Sequence, residues 1–184
     1  MEGKIVFTGK SKSGLDIVIR YPREKDLNAL WKYINELSME RSFILYQGEE
    51  ISLEDEKKYL KDLLENIKSK KLVRLLVFTM EGDLIGSADI AMKHLAMRHL
   101  GEFGITIAKK YRGDGVGKIL TEQILKEGKA QLSELKLVLL GVFETNDIAA
   151  GLYSKFGFKQ YGRIPEGIMR ENCFEDEILM YKKI

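Results

Sequence analysis

The chain has 184 residues, 45% of them hydrophobic and 32% charged, with a net charge of +2. That balance suits one domain over residues 1–184 with a sizeable core. Acidic and basic residues are interspersed, so charge supplies no footprint for nucleic acid. The single cysteine, Cys173, excludes an intrachain disulfide. No apolar run approaches the roughly 20 residues that cross a bilayer, no basic-then-apolar leader opens the sequence, and the reading is of a cytoplasmic protein with no membrane partner.

In chain order, residues 4–8 and 15–21 read as short strands around a turn containing Gly9 and Gly14. Pro22 ends the second. A helix follows over about 24–37, with Leu27, Leu30, Trp31, Ile34 and Leu37 recurring at helical spacing. Residues 38–50 are a loop whose Phe43, Leu45 and Tyr46 suit core or flap packing better than a cofactor box. Ser52-Leu-Glu-Asp55 is an N-cap signal for a second helix to about Ile67. Residues 72–79 and 84–92 flank Glu81-Gly-Asp83, a hairpin signal. A turn near His99 leads to a third strand through Phe103–Ile107. Beyond it come a helix to about Ala130, a strand over 136–143, a helix over 147–156, and strands near 158–163 and 177–183. The order predicts an α+β fold with helices on both faces of a mixed, mostly antiparallel sheet.

The chemistry centres on Arg112-Gly-Asp-Gly-Val-Gly117, where a strand gives way to helical periodicity at Val116, Ile119, Leu120 and Ile124. Strand, glycine loop and helix N-terminus suit a phosphate, because glycines permit close approach and free amides face an anion. The segment is no P-loop, since Ile119 stands where the hydroxyl residue belongs, and no dinucleotide fingerprint, since the glycines read G-x-G-x-G.

One strand downstream lies Asn146-Asp-Ile-Ala-Ala-Gly-Leu-Tyr153-Ser-Lys-Phe-Gly157-Phe158. With this second segment in place the chain resembles the GNAT superfamily of acetyl-CoA-dependent N-acetyltransferases, from about Ile17 to Ile184. Arg112 to Gly117 matches the family's [QR]-x-x-G-x-[GA] loop, and Asn146 to Phe158 its following helix. Lys109 stands where many relatives carry proline.

The resemblance implies that strand 103–107 splays from strand 136–143, opening a cleft for the pantetheine arm of acetyl-CoA. Main-chain contacts would come from Ile105 and Ile107, with Thr106 between them. Amides of Gly113, Asp114, Gly115, Val116, Gly117 and Lys118 would wrap the pyrophosphate, with Arg112 shaping the loop and Asn146 beginning the next helix. Tyr153 matches the family's general acid; the alternative is a tyrosine that only packs. Glu102 is the first base candidate, acting through water, against a merely solvated carboxylate. Asp89 and Glu144 are weaker candidates. His94 and His99 read as surface residues, Cys173 lacks a nucleophile's setting, and no metal spacing exists.

The implied activity is transfer of acetyl to a primary amine, on a peptide N-terminus or small molecule, by direct attack in a ternary complex. The acceptor would be read by the first helices and by loops 38–50 and 163–175. The tail, with Gly162-Arg-Ile164, Arg170-Glu171 and residues 176–181, resembles members acting on protein N-termini or small amines, and relatives are often homodimers. A domain that only binds acyl-CoA, as a sensor, is the rival reading.

Overall fold

A computed structural model describes residues 1–170 and 172–184; Glu171, part of the tail segment singled out above, lies outside the described residues. The elements are β1 (Ile5–Lys10), β2 (Asp16–Arg20), α1 (Leu27–Met39), α2 (Leu53–Lys68), β3 (Leu72–Thr79), β4 (Leu84–Met92), β5 (Leu100–Ile107), α3 (Val116–Gln131), β6 (Leu137–Phe143), α4 (Asp147–Lys155), β7 (Lys159–Arg170) and β8 (Cys173–Lys183). The strands form one sheet in the order β1-β2-β3-β4-β5-β6-β8-β7. Every neighbouring pair is antiparallel except β5 and β6. This is the expected mixed, mostly antiparallel α+β fold.

Each element follows from local chemistry. The runs Leu72–Thr79 and Leu84–Met92 are apolar and β-prone, and the glycine turn between them folds β4 back onto β3 from Phe78↔Leu84 to Leu72↔Ala91. Ser52 caps α2 by accepting the Asp55 N–H at 3.1 Å. In α1 the buried stripe is Leu30, Tyr33 and Leu37, whereas Trp31 turns partly outward and donates its indole N–H to the Ile51 carbonyl at 2.8 Å. The periodicity placed Trp31 on the core face; a hydrogen-bond partner on the following loop draws it away.

Helices cover both faces. Alternation puts Glu102, Gly104 and Thr106 on one face of β5, and Phe103, Ile105 and Ile107 on the other. The first face meets α1, where the Tyr33 hydroxyl lies 3.0 Å from Thr106 Oγ1. The second meets α3 and α4, with Gly117 against Ile107 and the Tyr153 ring against Phe103. Ile17, Ile19, Val73, Leu75, Ile85, Ile90, Leu120, Ile124 and Val138 fill the core. Burying each such side chain contributes about 1.5–3 kcal/mol.

One charge pair sits inside this core. Arg20 and Asp26 face each other fork to fork at 2.7 and 2.8 Å, both nearly closed to solvent, with the guanidinium 4.1 Å from the centre of the Phe78 ring. The pair ties the end of β2 to the entry of α1.

The chain's end departs from its sequence reading. Residues 163–175 were expected as a loop, yet β7 runs on to Arg170 and β8 begins at Cys173. Pro165-Glu-Gly167 looks like a break, but the register shift between Ile164 and Ile168 takes it up as a bulge, with Glu166 at φ 55°.

Candidate active site

β5 and β6 make a fork. They pair over Leu100↔Leu137, Gly101↔Val138 and Glu102↔Leu139 only, and then part. The expected splay over Phe103–Ile107 is present. Its edge can be read from hydrogen bonding: Lys93 N–H donates to Leu100 C=O, and Ala108 N–H to Ile85 C=O, each at 2.9 Å. Even-numbered residues of β5 therefore bond to β4. Odd-numbered ones turn their N–H and C=O groups into the gap. Ile105 and Ile107 thus present main-chain groups to the cleft. Thr106 does not: its backbone faces β4, and its side chain meets Tyr33 on the α1 face.

The glycine loop lies at the tip of the β5 prong. Gly113 at φ 78° and Gly115 at φ 81° adopt left-handed backbone that other residues rarely take. The first helical bond of α3 is Ile119 N–H to Gly115 C=O at 3.1 Å. Among the described residues, no acceptor takes the N–H groups of Gly113, Asp114, Gly115, Val116, Gly117 or Lys118. These free amides at the positive end of a 16-residue helix fit a pyrophosphate.

Arg112 points elsewhere. Its Nε donates to the Ile107 carbonyl at 2.8 Å, and its Nη2 pairs with the Glu40 carboxylate. The other Glu40 oxygen accepts the Lys109 N–H at 3.2 Å. Arg112 therefore braces the loop, with its fork already engaged. A proline at 109 would lack the N–H that Glu40 takes, so the lysine there has a physical consequence.

On the α3 and α4 face, Tyr153 is 7% exposed and lies among aromatic rings, with centroids 5.8 Å from Phe103 and 5.9 Å from Phe158. Burial pushes its phenol up to about 12, so it stays protonated across the physiological range. Asn146 acts as the N-cap of α4, its Oδ1 accepting the Ala149 N–H at 3.2 Å.

On the α1 and α2 face, the fork's floor is polar. Asp89 of β4 sits beside Gly104, with Oδ1 3.6 Å from where a Cβ on that glycine would stand. Arg74 of β3 lies 3.7 Å from the same carboxylate, donates from Nε to Ser87 Oγ at 3.0 Å, and hydrogen-bonds the Tyr59 hydroxyl. Burial raises the Asp89 carboxyl, against the pull of Arg74 and with the help of Glu102. Burial likewise raises Glu56 of α2. Glu102 stands at the crotch of the fork, largely exposed and paired with Lys93 at 3.1 Å. Glu144 pairs with Arg163 at 2.7 Å. His94, His99 and Cys173 are exposed.

The loop after α1 crosses the mouth of the fork. Glu40 holds the β5 prong through Arg112 and Lys109. Phe43 reaches the β6 prong, stacking edge-on against Phe143 at 5.5 Å, with Arg170 of β7 4.7 Å from its ring centre. Arg74, Tyr59 and Tyr33 were not singled out in the sequence. An arginine within the apolar run Leu72–Thr79 was the one local signal available.

Known proteins share this fold. The profile of the Acetyltransferase (GNAT) family matches residues 31–158. No curated protein sequence matches the chain. Among solved structures, an acetyltransferase of the GNAT family from Streptococcus pneumoniae is 30% identical, with a TM-score of 0.83 over 91% of this chain and 99% of that one. A ribosomal-protein-alanine N-acetyltransferase from Brucella melitensis is 23% identical, with a TM-score of 0.77 over 90% and 99%. A Salmonella typhimurium protein solved with its cofactor acetyl-CoA is 15% identical, with a TM-score of 0.77 over 91% and 92%. By its profile match and its fold, the chain belongs to the GNAT family of acetyltransferases.

Proposed function

We propose that the protein is an N-acetyltransferase that binds acetyl-CoA along the β5 edge and passes its acetyl group to a primary amine. The observation that carries this reading is the fork itself. It has free main-chain groups at Ile105 and a free N–H at Ile107, whose carbonyl Arg112 takes, free amides at its tip, a buried phenol on one face and carboxylates on the other.

The coenzyme would supply an activated thioester. The amides of Gly113 to Lys118 hold the pyrophosphate end, and the Ile105 or Ile107 N–H polarises the reacting carbonyl. Tyr153, kept protonated by burial, donates its proton to the departing sulfur. On the other face Asp89 and Glu102 attract the ammonium and accept its proton, directly or through water. Asp89 is the better placed of the two: it adjoins the bare Gly104 and is backed by Arg74, whereas Glu102 is engaged with Lys93 at the rim. The name of the Brucella relative supports a peptide N-terminus as one acceptor class.

The test is release of coenzyme A thiol from acetyl-CoA against a panel of peptide N-termini, polyamines, aminoglycosides and amino acids. Release that depends on one acceptor class supports the reading. Binding without acceptor-dependent release across the panel would make the protein an acyl-CoA sensor.

A further inference from the structure

Asp114 is out of place in a loop that is to hold phosphates, because its charge opposes the ligand's. The structure gives it another partner. Its Oδ1 accepts the Ser13 N–H at 2.6 Å and its Oδ2 the Ser13 hydroxyl at 2.8 Å, while its carbonyl accepts the Lys12 N–H at 2.9 Å. The hydroxyls of Ser11 and Ser13, with the nearby Lys12 charge, hold this carboxyl below the usual carboxylate range. Asp114 is thus committed to the β1–β2 turn, about a hundred residues away in sequence.

That docking sets Lys12 against the glycine loop. The Lys12 Cβ lies 3.7 Å from where a Cβ on Gly115 would stand. A lysine side chain rooted there is long enough to reach the amides that begin α3. The two lysines of this hairpin end differ. Lys10 is tied to Asp16 at 2.7 Å, whereas the exposed Lys12 side chain makes no ion pair or hydrogen bond among the described residues.

We propose that the β1–β2 turn is part of the coenzyme's phosphate site: Lys12 supplies its cation to the pyrophosphate, and Asp114 is the positioning residue that docks the turn. Arg112, the cation at the start of the loop, is already engaged with Glu40 and the Ile107 carbonyl. The inference rests on the acetyl-CoA reading above.

The test is equilibrium binding of acetyl-CoA and of its analogue lacking the 3′-phosphate, by titration calorimetry, to wild type and to Lys12→Gln, Lys10→Gln and Asp114→Ala. Lys12→Gln is expected to bind roughly 3- to 5-fold more weakly, the scale of an exposed charge pair, with the deficit shrinking as salt rises. The deficit should persist on the analogue, and Lys10→Gln should match wild type. Asp114→Ala should also weaken binding, although it removes a negative charge beside the phosphates. Tighter binding by Asp114→Ala, equal losses in both lysine variants, or a deficit confined to the 3′-phosphorylated ligand would overturn the assignment. If Lys12→Gln binds as wild type does, the role of Lys12 falls while the coenzyme reading stands. If wild type binds neither ligand, both fall.

Discussion

The Glu40 carboxylate holds Arg112 through its guanidinium and Lys109 through its backbone N–H, joining the end of α1 to the turn that leads into the glycine loop. The loop that follows Glu40 also lays Phe43 on Phe143 across the fork. One short segment thus touches both prongs. The side proposed to receive the acceptor and the side proposed to hold the coenzyme share this brace.

Removing the fork-shaped donor should loosen the brace. Arg112→Lys cannot hold the Ile107 carbonyl and Glu40 together, so acetyl-CoA affinity should fall roughly 3- to 10-fold with little change in the melting temperature. Titration calorimetry with thermal denaturation checks both halves. Unchanged affinity would show that the brace is dispensable.

Tyr153→Phe separates chemistry from packing. The ring keeps its contacts with Phe103 and Phe158, so stability and acetyl-CoA affinity should stay near wild type. The turnover number should fall roughly 100-fold or more, the usual contribution of a positioned acid. A packing tyrosine would leave turnover intact.

The Asp89 carboxyl is raised, chiefly by burial, so the base should be lost at a higher pH than an ordinary aspartate allows. kcat/KM for the acceptor should rise with pH through that raised value, and Asp89→Asn should abolish this limb. Arg74 pulls Asp89 downward, so Arg74→Met should move the limb to higher pH. Tyr59 and Glu56 from α2, Tyr33 from α1 and Glu102 from β5 also bear on this cluster and remain in both variants. The same shift bears on stability with a definite sign. The folded state holds the Asp89 proton more tightly than the unfolded chain, so its contribution falls as pH rises from the unfolded value through the raised one. Asp89→Asn should flatten that part of the stability curve.

Asp26→Ala leaves the buried Arg20 guanidinium without its bidentate partner. Stranding one member of such a pair costs about 3–5 kcal/mol. Urea unfolding should show a loss of that order, and a loss below about 1 kcal/mol would mean that water reaches Arg20.

Much of this was legible because the signals are local. The Glu81-Gly-Asp83 turn between two apolar runs gave β3 and β4, and the step from Phe103–Ile107 to Val116, Leu120 and Ile124 gave β5, the loop and α3. What escaped is held by distant partners. Ser13 with Asp114, Tyr21 with Glu127, Phe43 with Phe143 and Arg74 with Tyr59 meet only because the sheet brings them together. The extended β7–β8 hairpin was hidden for another reason. A proline and a glycine within a strand read as a break until the opposite strand shows the bulge that absorbs them.

The central claim is that the fork transfers an acetyl group to an amine. The most direct measurement follows acetyl-CoA thiol release and product mass together across the amine panel, with wild type and Tyr153→Phe side by side. The account predicts release that requires an acceptor, an acceptor heavier by one acetyl group, and a large loss of rate in the variant. Tight acetyl-CoA binding with no acceptor-dependent release from any amine would contradict it.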